Sequence, residues 1–201
     1  MTDLAIVAQE LQAHLIARFG FDVEPKEDSA IMKAVSLGMD LGSNLSSGLP
    51  AGSDFMTRYA TTIAKTVYLP KSIRDNPLSV MEVVTHESEH VLQFEDTGVE
   101  FAWFYLTDAT ARAQFEADAY ASGIAVRCWL TGALPTESIP WVLDSLVKGY
   151  HLKAEDKAYA ETALKSHMAS LTSGIVMTRS ARIAIAYLNQ NFPELKGSLR
   201  A

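Results

Sequence analysis

Residues 76–98, "NPLSVMEVVTHESEHVLQFEDTG", constrain the chain more than any other stretch. Asn76 with Pro77 behind it, or Ser79 with Glu82 three residues on, offer alternative helix-start signatures, and Gly98 offers a stop. The pattern predicts one helix running to about Asp96. Residues on such a helix advance by about 100° each, so His90 emerges about 40° from His86 and the two imidazoles share a face. Glu87 falls about 80° to one side of their midpoint and Glu89 about 80° to the other. The stretch therefore satisfies HExxH and the inverted HxxEH at once.

Two neutral imidazoles one helical turn apart can hold a single zinc ion, and a catalytic zinc takes three protein ligands while leaving one position open. A third ligand is therefore expected. Asp96 sits where an extended HExxHxxGxxH/D pattern has its third ligand. Gln93, however, occupies the place of the turning glycine, and an unbroken helix aims Asp96 about 240° from His90. Glu116 belongs to the next long helical pattern, and the small side chains of Ala113, Ala117 and Ala119 let that helix come close. Asp118, about 200° from Glu116 on the same helix, is the reserve ligand. Glu116 also has a plainer role open to it, as an exposed partner of Arg112 four residues earlier.

The rest of the chain reads as an α+β fold, mainly helical, with a small sheet. Leu4, Val7, Leu11 and Leu15 predict an amphipathic first helix, with His14 at its boundary. Residues 27–40 continue a mostly helical pattern, and "LGSNLSSGLPAGSD", 41–54, reads as a long loop able to cover a cleft. "TTIAKTVYLP", 61–70, alternates as one strand ended by Pro70, with Lys65 guarding an edge. The aromatic run from Phe101 to Tyr105 reads as core, or as a wall of a specificity pocket. Beyond it, Thr107 or Asp108 can cap a helix that Gly132 and Pro135 end. Three further helical patterns lie near 139–150, 155–171 and 178–191.

A length of 201 residues, 48% of them apolar, suits one domain over 1–201, with a core at about 55–135 and a helical part at about 136–201. The net charge of −7 and the absence of Lys/Arg clusters argue against nucleic acid or an anionic membrane as partner. Cys128 is the only cysteine, which excludes an intramolecular disulfide and a thiolate cluster and leaves it a packing role. With no secretory signal at its start and apolar runs far short of the ~20 residues of a membrane span, the chain is expected to be soluble and cytoplasmic.

"TVYLP" before the site, "VVTHESEHVLQ" and "FEADAYASG" together resemble gluzincin-type zinc metallopeptidases, particularly the compact minigluzincin-like domains of bacterial and phage proteins, over about residues 60–125. The resemblance implies a zincin-like core with His86, His90 and Glu116 as zinc ligands and Glu87 as general base, and a peptide or protein as substrate. In such a site a zinc-activated water attacks the peptide bond while Glu87 moves its proton. A donor for the oxyanion is also expected, and Tyr120, Tyr150, His151 and His167 are the available types, with Tyr120 and His151 as oxyanion or supporting residues. Tyr120 stands four residues after Glu116, where many gluzincins place an Asp. Glu89 is expected to face solvent or a supporting partner. The alternative function is a non-catalytic zinc-binding or scaffold protein with the same fold.

Overall fold

A computed structural model describes residues 2–43, 52–135, 138–150 and 153–199. Helix α1, Leu4–Phe19, begins where the Asp3 carboxylate accepts the Ala5 N–H at 2.9 Å and ends at Gly20, whose φ of 64° suits a residue without Cβ. It buries Val7, Ala8, Leu11, Leu15 and Phe19; of the four residues whose spacing predicts the helix, Val7, Leu11 and Leu15 are buried and Leu4 is partly so.

Strand β1, Asp22–Pro25, comes next and has no counterpart in the sequence reading. Four residues are too few to establish an alternation, and none of them is fully buried. Helix α2 spans Ala30–Ser43 and α3 spans Gly52–Arg58, so both ends of the stretch expected to be a loop are helical. Its middle, 44–51, lies outside the described residues.

The stretch 61–70 is a hairpin rather than one strand. Strand β2, Thr61–Ile63, runs antiparallel to β3, Thr66–Leu69, with Thr62 opposite Val67. Ala64 turns the chain at φ 53°, a left-handed conformation normally signalled by Gly, Asn or Asp, so the turn carries no compositional mark. Lys65 is consequently a turn residue, and it pairs with Glu95 at 2.6 Å. β1 joins the other side of β3 in parallel, giving the order β1-β3-β2 and leaving β2 as an edge. The central strand β3 buries Val67, Tyr68 and Leu69.

After the single turn α4, Lys71–Arg74, helix α5 spans Pro77–Thr97. Asn76 provides the cap, its side chain accepting the Ser79 N–H at 3.2 Å, and Gly98 ends the helix at φ 66°. Helix α6, Val99–Thr107, corrects the expectation of a buried aromatic run. None of its residues is fully buried, and Trp103 is 67% exposed. Residues 101 and 105, one turn apart, face inward, while 99, 103 and 106 form an outward apolar stripe.

Helix α7, Ala109–Thr131, starts at Asp108, whose carboxylate accepts the N–H groups of Thr110 and Ala111, and stops at Gly132 in the left-handed region. Helices α8 (Ser138–Tyr150), α9 (Ala154–Thr172) and α10 (Arg179–Asn191) follow close to their expected bounds. The architecture is mainly helical with one small sheet. Among the described residues, no helix is long and apolar enough to cross a membrane.

One apolar cluster unites α1, β3, α5, α7 and α10 through Leu11, Leu15, Leu69, Val84, Val91, Val126, Leu130 and Leu188. A second lies between α7, α8 and α9 around Ala117, Leu146 and Leu164. Helix α7 serves both clusters. It approaches α5 closely at Gly123, where a Cβ would lie 3.0 Å from the Glu82 carbonyl oxygen. This near contact of two backbones brings the glutamate of one helix to the histidines of the other.

Candidate metal centre

Helix α5 supplies His86, Glu87 and His90, and α7 supplies Glu116. One ligand atom from each of His86, His90 and Glu116 lies within 4.8 Å of the other two. His86 Nε2 is 3.7 Å from Glu116 Oε2, and His90 Nε2 is 3.4 Å from Glu116 Oε1. Ligands bound at 2.0–2.1 Å to one tetrahedral zinc stand about 3.3 Å apart; the two contacts, each to a different oxygen of Glu116, are near that spacing, while the set as a whole spans up to 4.8 Å. Two imidazoles and one carboxylate are also a donor set that zinc favours.

Glu116 is fully buried, and its Oε2 has no hydrogen-bond partner. Burying a carboxylate is costly unless a positive charge meets it, so an orphaned oxygen aimed at two imidazoles fits a cation. The exposed partnership of Glu116 with Arg112 is not formed. Arg112 Nη1 instead donates to the Tyr105 carbonyl at 2.7 Å.

The orientation of His90 follows from its neighbours. Gln93 Nε2 donates to the Phe115 carbonyl at 3.0 Å, which leaves Gln93 Oε1 to accept from His90 Nδ1 at 2.8 Å. Nδ1 therefore carries a proton, and in the neutral imidazole Nε2 presents its lone pair to the site. His86 is held by ring packing: Tyr120 lies edge-to-face at 4.7 Å between centroids, and His90 at 4.9 Å.

Electrostatics set the three candidate ligands apart. Burial and the neighbouring His90 lower the pKa of His86 despite nearby carboxylates. Burial also opposes a charge on His90, but the Glu116 carboxylate outweighs it and lifts that pKa to about 9. Glu116 itself, which burial alone would raise, is held at about 2 by His90, His86 and the Tyr105 hydroxyl.

These shifts give protein stripped of metal by a chelator a defined pH response. The raised His90 contributes stability fully below its unfolded value of 6.5 and loses it as pH climbs through about 9. The depressed Glu116 contributes above its unfolded 4.5 and loses that only as pH falls through about 2. The urea midpoint of stripped protein is thus expected to decline from pH 6.5 to 9, and His90→Gln should flatten that decline.

Glu87 lies at the edge of the same cluster. Its Oε2 accepts from the Thr62 hydroxyl of β2 at 2.6 Å, and its Oε1 is 3.9 Å from His86 Nε2. Glu89 turns the other way, accepting the Ser180 N–H at 2.8 Å in the first turn of α10, where the helix dipole favours a carboxylate. It is a supporting contact between helices, and the HExxH register is the one with its glutamate at the site.

The remaining sequence candidates have other partners. Asp118 accepts from His167 Nε2 at 2.7 Å, outside the cluster, so this pair ties α7 to α9. Asp96 is on the exposed end of α5, paired with Arg179 at 3.2 Å. His14 stacks on Tyr187 at 4.2 Å. Burial pushes the Cys128 thiol up to about 11, in keeping with a packing residue. His151 lies outside the described residues, as does the side chain of Tyr150.

Four residues around the site were not foreseen in these roles: Gln93, Thr62, Tyr105 and Lys26. Only Gln93 carried a signal, standing three residues after His90 on one helix face. Lys26 is fully buried, with Nζ donating to the Phe55 and Tyr59 carbonyls at 2.9 and 2.8 Å and to the Thr61 hydroxyl at 2.8 Å. It thereby ties α3 to β2 next to Thr62. Lys26→Met strands two carbonyl oxygens and a hydroxyl, and a loss of about 1–3 kcal/mol is expected in chemical denaturation. The chain matches no family model, no curated protein and no solved structure, so this site is read from its own geometry.

Proposed function

We propose that this chain is a zinc-dependent metallopeptidase in which His86, His90 and Glu116 hold the ion and Glu87 is the general base. The observation that carries the reading is the convergence of two imidazoles and a buried, half-unpartnered carboxylate, with a second carboxylate at their edge. The sequence of edge strand β2, histidine helix α5 and glutamate helix α7 supports a zincin-like core of the gluzincin kind.

A bound zinc supplies Lewis acidity to water and to a carbonyl oxygen. The chain's own groups do the rest. Glu87, with Oε2 fixed by Thr62, keeps Oε1 toward His86 to take a proton from water and later deliver one to the leaving amine. Burial, with Glu116 and Glu87 nearby, raises the pKa of Tyr120, so its hydroxyl stays protonated as a donor for the developing oxyanion. The side of β2 that no strand pairs among the described residues is suited to an extended peptide, which can add there as a further strand.

The test is elemental analysis of purified full-length chain together with hydrolysis of a quenched-fluorescence peptide library, before and after chelation. Stoichiometric zinc with chelator-sensitive cleavage supports the proposal. Zinc without cleavage assigns the chain instead to non-catalytic zinc binding, and absence of zinc overturns both readings. Chelation should also lower the melting temperature, since a ligand that binds only the folded state stabilises it.

A further inference from the structure

We propose that Tyr105 is a positioning residue that makes Glu116 a one-oxygen metal ligand; this rests on the reading of His86, His90 and Glu116 as a metal centre. The Tyr105 hydroxyl donates to Glu116 Oε1, which also stands 3.4 Å from His90 Nε2, whereas Oε2 has no hydrogen-bond partner and stands 3.7 Å from His86 Nε2. The two oxygens of one buried carboxylate are thus differentiated: one is engaged from α6, and the other is left for the ion.

Tyr105 is itself held from several directions. Its ring packs at 6.0 Å from that of His90 and at 5.6 Å from that of Phe101, and Arg112 Nη1 grips its carbonyl at 2.7 Å. The phenol has little freedom to leave Glu116, and the short surface helix α6 acquires a role in the centre. A carboxylate without such a donor can bind through both oxygens, which would occupy the position a substrate or water needs. With a lone pair of Oε1 engaged by the phenol, the ion is drawn to Oε2 and that position stays open.

The experiment loads the full chain and its Tyr105→Phe variant with zinc and, separately, with cobalt(II). It measures zinc affinity by competition with a chromophoric chelator and records the visible cobalt spectrum. Tyr105→Phe removes one oxygen atom and retains the ring contacts. The variant is expected to bind zinc about 10–100-fold more weakly, the range found when groups supporting a metal ligand are removed. Its cobalt bands should weaken as the freed Oε1 adds a ligand, while the melting temperature of chelator-stripped protein changes little.

Tyr105→Leu, which removes ring and hydroxyl together, must show the same spectral change. If either variant keeps the parent's affinity and spectrum, Tyr105 does not position Glu116, although the metal centre stands. If the parent chain takes up neither ion, the metal centre itself fails and the inference falls with it.

Discussion

Glu116→Ala is expected to lower zinc affinity by more than about 100-fold, beyond the range for removal of a merely supporting group, because it deletes a proposed ligand itself. The same change removes the one group that lifts the His90 pKa most strongly, so stripped Glu116→Ala protein should show a His90 titration moved down from about 9. Nuclear magnetic resonance of the imidazole reads that shift directly. Asp118→Ala and Asp96→Ala are the controls. Asp118 is engaged with His167 and Asp96 with Arg179, so zinc content should survive both changes. Loss of zinc in Asp118→Ala would move the third ligand along α7 and reject the assignment made here.

Glu87→Gln should behave in the opposite manner, retaining stoichiometric zinc while hydrolysis falls by about 10²–10⁴-fold, the contribution expected of a positioned general base. The substitution is nearly isosteric, and its amide oxygen can still accept from Thr62, so the local geometry survives. What is lost is the capacity to take a proton. Glu89→Gln is the matched comparison: Glu89 caps the start of α10, and its replacement should cost stability with cleavage intact. Equal cleavage by Glu87→Gln and the parent would remove Glu87 from the mechanism.

The parts that were legible in the sequence are those where local chemistry alone decides the outcome. Asn76, Pro77 and Gly98 bound α5 because caps and stops act within one turn, and the histidine pair follows from helical geometry. Glu116 could be picked out because alanines surround it on a helix that must pack closely. The hairpin at 61–70 was missed because Ala64 adopts a left-handed turn without a turn residue's signature, and β1 was missed because it is four residues long. Tyr105, Thr62 and Lys26 were illegible for another reason. Their roles depend on tertiary placement, on α6 folding back over α7 and on β2 lying beside α5, which no spacing along the chain encodes.

The histidine helix shares its apolar cluster with a helix from each end of the chain, α1 through Leu11 and Leu15 and α10 through Ala184 and Leu188. A polypeptide emerging from the ribosome exposes its N-terminal portion first, so His86, His90 and Glu116 are in solution well before Arg179–Asn191 has been made. During that interval the side of α5 destined for α10 has no cover, and Glu89 has no helix to cap. Assembly of the proposed centre is therefore tied to synthesis of α10, and a nascent chain halted before α10 should neither retain zinc firmly nor resist proteolysis.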